Sequence, residues 1–201
     1  MLILALGLLI FLALHLLPTQ TELRRDLIAR YGAGTYKLVF SAISLASFAL
    51  IVIGYHKIQL NPGKDPALWG AQGIMPWPQL KHVTFLLMLP VFPLLVASQL
   101  PGRLKTVIPN PMLLAVKLWA LAHFLIRGDA ASVLLFGGFL AYGVYDLISV
   151  KKRQRAGVTP VTTGPIRNDV IAVVLGLALY VAFLGWLHPL LIGPQLARFG
   201  S

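Results

Sequence analysis

Five histidines, His15, His56, His82, His123 and His188, lie in or at the ends of long apolar stretches, and they are the residues best suited to chemistry in this chain. An imidazole in hydrocarbon is costly unless it meets a partner, and a neutral imidazole is a good ligand for iron, copper, nickel or zinc. The absence of cysteine rules out disulfides, iron–sulfur clusters and thiolate ligation together. Any metal or haem must therefore use nitrogen, oxygen or methionine sulfur. Met75, Met88 and Met112 are scattered rather than clustered, which implies no copper site. With six acidic residues in all, a carboxylate metal centre or proton relay has little material, and Asp129 and Asp169 stand where helix caps are expected.

The densest signal runs from Pro111 to His123. Helical spacing places Trp119, Ala120, His123 and Arg127 along one stripe and Lys117 on another. A small residue one turn before a histidine leaves room for a flat ligand such as haem. His123 would then bind iron, and Arg127, one turn further, would pair with a propionate. The competing reading is a histidine hydrogen-bonded to a neighbouring helix. Lys117 lies about 9 Å along the helix from Pro111, so its charge calls for snorkelling or an ion pair with Asp146.

The elements that must carry these residues are set by composition. The chain of 201 residues is 58% hydrophobic and 11% charged, with a mean hydropathy of +0.81. Crossing hydrocarbon takes about 20 residues of helix, and only helices or closed barrels satisfy their backbone there. The apolar runs do not alternate, which excludes a barrel. Six runs predict an all-α polytopic bundle of about six transmembrane helices within a single domain, 1–201, at about 2–17, 36–55, 82–100, 111–126, 130–150 and 170–192. The first and fourth are short. The first has no basic n-region and no small-residue cleavage site, and reads as a retained helix.

A net charge of +11 suggests nucleic acid, but the basic residues fall mainly in the connections. Eleven, from Arg24 to Arg167, lie in the loops one–two, three–four and five–six, against five (Lys57, Lys64, Lys81, Arg127 and Arg198) on the other side. The positive-inside rule then predicts that both termini face away from the cytoplasm, and no nucleic-acid partner is expected. The loop from His56 to Lys81, with Trp69, Gly73, Pro76, Trp77 and Pro78, reads as an interfacial segment anchored by indoles. The connection from Lys151 to Asp169 is basic, and Gly157, Pro160, Gly164 and Pro165 oppose helix. Pro90 and Pro93 should kink the third helix. The pairs Gly137/Ala141 and Ala172/Gly176 read as packing faces. No Walker loop, GxGxxG, GxSxG or HExxH motif occurs.

Ala13-Leu-His-Leu-Leu-Pro18, Tyr36-Lys-Leu-Val-Phe-Ser41, Leu100-Pro-Gly-Arg103, Lys117-Leu-Trp-Ala-Leu-Ala-His123, Gly128-Asp129 and Trp186-Leu-His188 together resemble the NnrU family of bacterial membrane proteins. The resemblance runs from about Leu6 to Gly193. It implies a link to nitrite and nitric oxide reduction in denitrifying bacteria. The chain is also similar to the plant 15-cis-zeta-carotene isomerase, a haem b membrane enzyme. That similarity nominates His15 and His123 as axial ligands of a haem b. Ala120 stands where the isomerase has an alternative cysteine ligand, and Asn110-Pro111 where the family usually shows His-Pro.

In a six-helix topology His15 and His123 differ in depth by roughly 13 Å, a gap that only a haem lying nearly flat would span. An upright haem would favour His82 or His188 as the partner of His123, but His15 stands first because the isomerase similarity favours it. Trp119, Arg127 and Lys117 complete the expected cofactor surroundings. Two functions follow: an accessory or sensor protein of nitrogen-oxide metabolism, in which haem binds nitric oxide or relays electrons, or a haem-dependent isomerase or redox enzyme acting on a hydrophobic polyene such as a carotenoid. A transporter is disfavoured by long unbroken helices, few acids and no visible inverted repeat. The expected partners are the lipid bilayer, haem and a hydrophobic small molecule or nitric oxide, with a homo-oligomer left open.

Overall fold

The computed structural model describes residues 1–70, 77, 79–108, 110–157 and 163–192. Gly73, Met75, Pro76, Pro78, Pro160 and Arg198, named above, lie outside the described residues. Among those described there is no β-strand, only an isolated bridge between Ala67 and Asp129. The chain forms two compact units, Met1–Asp65 and Pro66–Ser201.

The first unit is an antiparallel helix pair with a short polar helix at its turn. Helix α1 (Leu2–Leu16) buries Leu4, Gly7 and Leu8. It packs on α3 (Ala33–Gln59), which buries Ser47, Ile51, Gly54 and Tyr55. A side chain at Gly54 would run into the backbone of Leu4, and this close approach is what small residues allow where no hydrophobic gain separates helix from lipid. Between them lies α2 (Thr21–Tyr31), in a stretch expected only as a loop. Its signal was present: Leu23, Leu27 and Tyr31 recur at four-residue spacing among charges. Gly32 ends α2 at φ +81°, a conformation that favours glycine.

The second unit is built around α7 (Pro111–Ile126). This helix packs against α4 (Gln79–Met88), α5 (Val91–Gln99) and α8 (Ala130–Arg155), while α9 (Ile166–Ala182) covers α5. Six of its sixteen residues are buried, among them Leu113, Ala115 and Ala120. Asn110 caps its start by accepting the amide of Leu113 at 3.1 Å, with Pro111 at the first helical position where a missing N–H costs nothing. The expected kink is present: α4 ends at Met88 and α5 begins at Val91 after Pro90. Ala172 and Gly176 are buried, and a side chain at Gly176 would strike Pro93 on α5. The other expected pair differs: Ala141 is exposed, and Gly143 is the glycine buried against α7.

Among the described residues five helical segments are long and apolar enough to cross a membrane: Leu2–Thr19, Ala33–Gln59, Gln79–Gln99, Ala130–Arg155 and Ile166–Leu190. The sixth expected span, α7, is shorter, at 16 residues or roughly 24 Å. Helix also runs further into the basic connection than expected, since α8 continues to Arg155 and α9 starts at Ile166. A four-residue helix, α6 (Leu104–Val107), lies in the preceding connection. Asp169 does not cap its own helix. Its carboxylate accepts the backbone amides of Arg103 (2.9 Å) and Leu104 (3.2 Å), and so holds the start of α6.

Candidate functional site around His123

His123 sits in the last turn of α7, half-buried among aromatic rings. Its imidazole stacks on Phe136 of α8 at 4.9 Å and 24° and lies 5.6 Å from Trp119 one turn earlier. Trp119 meets Phe136 and Phe139 edge-on at 5.1 and 5.3 Å. Antiparallel packing of α7 and α8 brings these rings together. One hydrogen bond and one aromatic contact steady that end of the helix. Thr84 of α4 donates to the carbonyl of Ala122 at 3.1 Å, and Trp69 lies edge-on to Phe124 at 5.7 Å.

The Nδ1 of His123 lies 2.9 Å from the carbonyl of Trp119. A carbonyl can only accept, so Nδ1 carries the proton and Nε2 keeps a lone pair. A metal-ligating histidine uses such a bond to fix its tautomer and orientation. The same pattern occurs in the first unit, where Nδ1 of His15 lies 2.7 Å from the carbonyl of Phe11. There the ring is stacked on Phe11 at 4.0 Å, with Phe40 of α3 edge-on at 5.2 Å.

His188 is the second imidazole beside His123. The ring centroids are 6.4 Å apart at 34°, and Phe183 lies edge-on to His188 at 5.9 Å. After α9 the chain passes through a π-helical turn, Phe183–Leu187, into α10 (His188–Ile192). Pro189 lacks the amide that would bond the carbonyl of Gly185, and the amide of His188 reaches back five residues to Phe183. The Nδ1 of His188 is buried without a hydrogen-bond partner among the described residues. This turn was not foreseen; His188-Pro189 inside an apolar run was its signal.

Other expected site residues have different surroundings. Arg127 pairs with Asp129 at 2.6 Å, both nearly buried, and its Nε lies 3.4 Å from the Ser132 hydroxyl. Asp129 also accepts the amide of Ser132 at 2.9 Å as the cap of α8. This turn is tied to the segment before it, since the carbonyl of Gly128 accepts from Leu68 at 2.7 Å. Ala120 is 0% exposed, so no water-sized space borders it, and the room expected on its side is absent.

Lys117 makes no ion pair among the described residues, and its aliphatic stem packs at Gly143. Asp146 instead accepts from Tyr142 at 3.1 Å and pairs with Arg153 at 3.6 Å. These partners lie one turn before and two turns after it on α8, and they take the place expected for Lys117. His82 is exposed on α4.

If a haem were bound at this end of α7, His123 and His188 are the residues that would hold it. Among the described residues no three or more histidine, cysteine, aspartate or glutamate side chains could hold a metal ion. A porphyrin supplies four nitrogens of its own and asks the protein for one or two axial ligands. Two imidazoles on one metal, at about 2 Å per nitrogen, place their centroids roughly 6 Å apart. The spacing of His123 and His188 is of that size.

A family model described as NnrU protein matches residues 3–196, nearly the whole chain. No curated protein and no solved structure matches it.

Proposed function

The chain belongs to the NnrU family, and from that premise we propose a multi-pass inner-membrane protein that binds haem b and serves nitrite and nitric oxide metabolism in an accessory role. The observation that carries this reading is the setting of His123: Nδ1 is held by the Trp119 carbonyl, Nε2 is left as a lone pair, and His188 stands 6.4 Å away. His188 supports the reading further through a buried Nδ1 that has no hydrogen-bond partner among the described residues. His15 shows the same orienting bond and is the alternative ligand that the isomerase resemblance nominates.

The chain's own residues have definable roles. His123 and His188 hold the group; Trp119, Phe136 and Phe139 form an apolar wall that excludes water and fixes the His123 ring plane. The Arg127–Asp129 pair keeps the turn after α7 in place and puts a cation one turn from His123. When bound, haem b supplies a reversible one-electron couple and an iron with affinity for diatomic gases. The basic connections carry the topology, with both termini on the periplasmic side.

The test is turnover in cells. A deletion strain is complemented with wild-type protein or with His123→Ala, and nitric oxide is followed by electrode under oxygen limitation with nitrite supplied. Wild-type protein should restore nitric oxide consumption and His123→Ala should not. Unchanged consumption in the deletion strain would contradict the accessory role. Isomerisation of a cis-polyene by the purified, reduced protein would favour the enzyme instead.

A further inference from the structure

Away from the histidines, a groove of about 670 Å³ runs between α6 and the start of α9. One wall is a stripe of α9: Ile166, Val170, Val173 and Val174, each 42–64% exposed. The facing wall includes Thr106 and Val107. An apolar face is ordinary in lipid, but a concave one with cations at one end is not.

Arg103 lines the groove and is exposed. Arg167, also exposed, lies on the same helical stripe as Val170 and Val174, three and seven residues on. Neither arginine is in an ion pair among the described residues. The one acid in the lining, Asp169, spends its carboxylate on the amides of Arg103 and Leu104 rather than on a guanidinium.

Depth gives these features a common meaning. The apolar span that includes α9 begins at Ile166, so Arg167 stands at the boundary of the membrane-crossing segment. Val174 lies about 10 Å further along the helix, toward acyl-chain depth. Arg103, whose amide is held by Asp169, and Arg167 thus stand at the boundary end of a groove whose α9 wall is apolar further in.

We propose that this groove binds an anionic phospholipid, with an acyl chain along the valine stripe of α9 and the phosphate between Arg103 and Arg167. A zwitterionic lipid offers the same tails but no net charge, so selectivity rests on the two arginines. The site is independent of haem.

The full-length protein, reconstituted in phosphatidylcholine nanodiscs with a small fraction of dioleoyl phosphatidylglycerol, is extracted gently and its retained lipid is measured by native mass spectrometry. Phosphatidylglycerol should be enriched over phosphatidylcholine. Arg103→Gln/Arg167→Gln should lower that enrichment by about fivefold per arginine, and Val173→Trp should abolish retention by filling the slot. Arg24→Gln/Arg25→Gln, which removes two cations from α2, should leave it unchanged, and all variants are compared at equal melting temperature. Equal retention of the two lipids by wild type, equal loss in the α2 variant, or undiminished retention in Val173→Trp overturns the proposal. So does displacement by glycerol phosphate as effective as by the intact lipid, because the acyl chain would then contribute nothing.

Discussion

The rings of His123 and His188 lie 6.4 Å apart and tilted by 34°, one held by the last turn of α7 and the other delivered by the π-helical turn that follows α9. The relationship brings two imidazoles from distant parts of the chain into one compact unit. It also sets what the rest of the second unit must do, which is to keep α7 fixed while α9 and the π-turn carry His188 to it.

The Arg127–Asp129 pair is a sensitive point of that arrangement. Both side chains are nearly buried, and removing one partner leaves the other charged in a low-dielectric setting. Arg127→Ala or Asp129→Ala should destabilise the protein by about 3 kcal/mol, with Asp129→Ala the worse because it also loses the cap of α8. Thermal unfolding in detergent, followed by far-ultraviolet circular dichroism, measures this.

Asn110 fixes where α7 starts. Asn110→Ala removes the acceptor for the Leu113 amide and should cost about 1 kcal/mol, whereas Asn110→Asp or Asn110→Ser should be nearly neutral. The same melts separate these variants, and an equal loss in all three would point to a role other than capping.

At Gly176 the backbones of α9 and α5 approach too closely for a side chain, because an added Cβ would meet Pro93. Gly176→Val should destabilise by roughly 1–3 kcal/mol through overpacking. If α9 shifts to relieve the clash, His188 moves with it, and any His188-dependent property should be lost along with stability.

The absence of cysteine gives a clean topology test. Lys64→Cys should react with a membrane-impermeant maleimide on intact cells, and Gln154→Cys only after permeabilisation. The opposite pattern would invert the orientation read from the basic connections.

Much of this fold was legible in the sequence, because hydropathy fixes helices in lipid with few alternatives. The Pro90 break and the Ala172/Gly176 face follow directly from local chemistry. What was not legible depended on competition between partners. Asp146 had Lys117 as a plausible partner across the α7–α8 seam, yet Tyr142 and Arg153 on its own helix are nearer. Asp169 was a cap for its own helix on sequence grounds, but the amides it serves belong to α6, more than sixty residues earlier. His82 and His188 stood level in the sequence as partners for His123; in the structure His82 is exposed on α4, and the π-turn, a response to Pro189, leaves the His188 ring 6.4 Å from His123.

The central claim is that His123 and His188 hold a haem b. The most direct measurement is the reduced-minus-oxidised absorption spectrum of the detergent-purified protein with a pyridine haemochrome assay, expressed with ample haem, for wild type, His123→Ala, His188→Ala and His15→Ala. The account predicts a stoichiometric haem b signal in wild type and in His15→Ala, lost in His123→Ala and lost or altered in band position in His188→Ala. A wild-type protein without haem, or one whose haem survives both His123→Ala and His188→Ala unchanged, would contradict it.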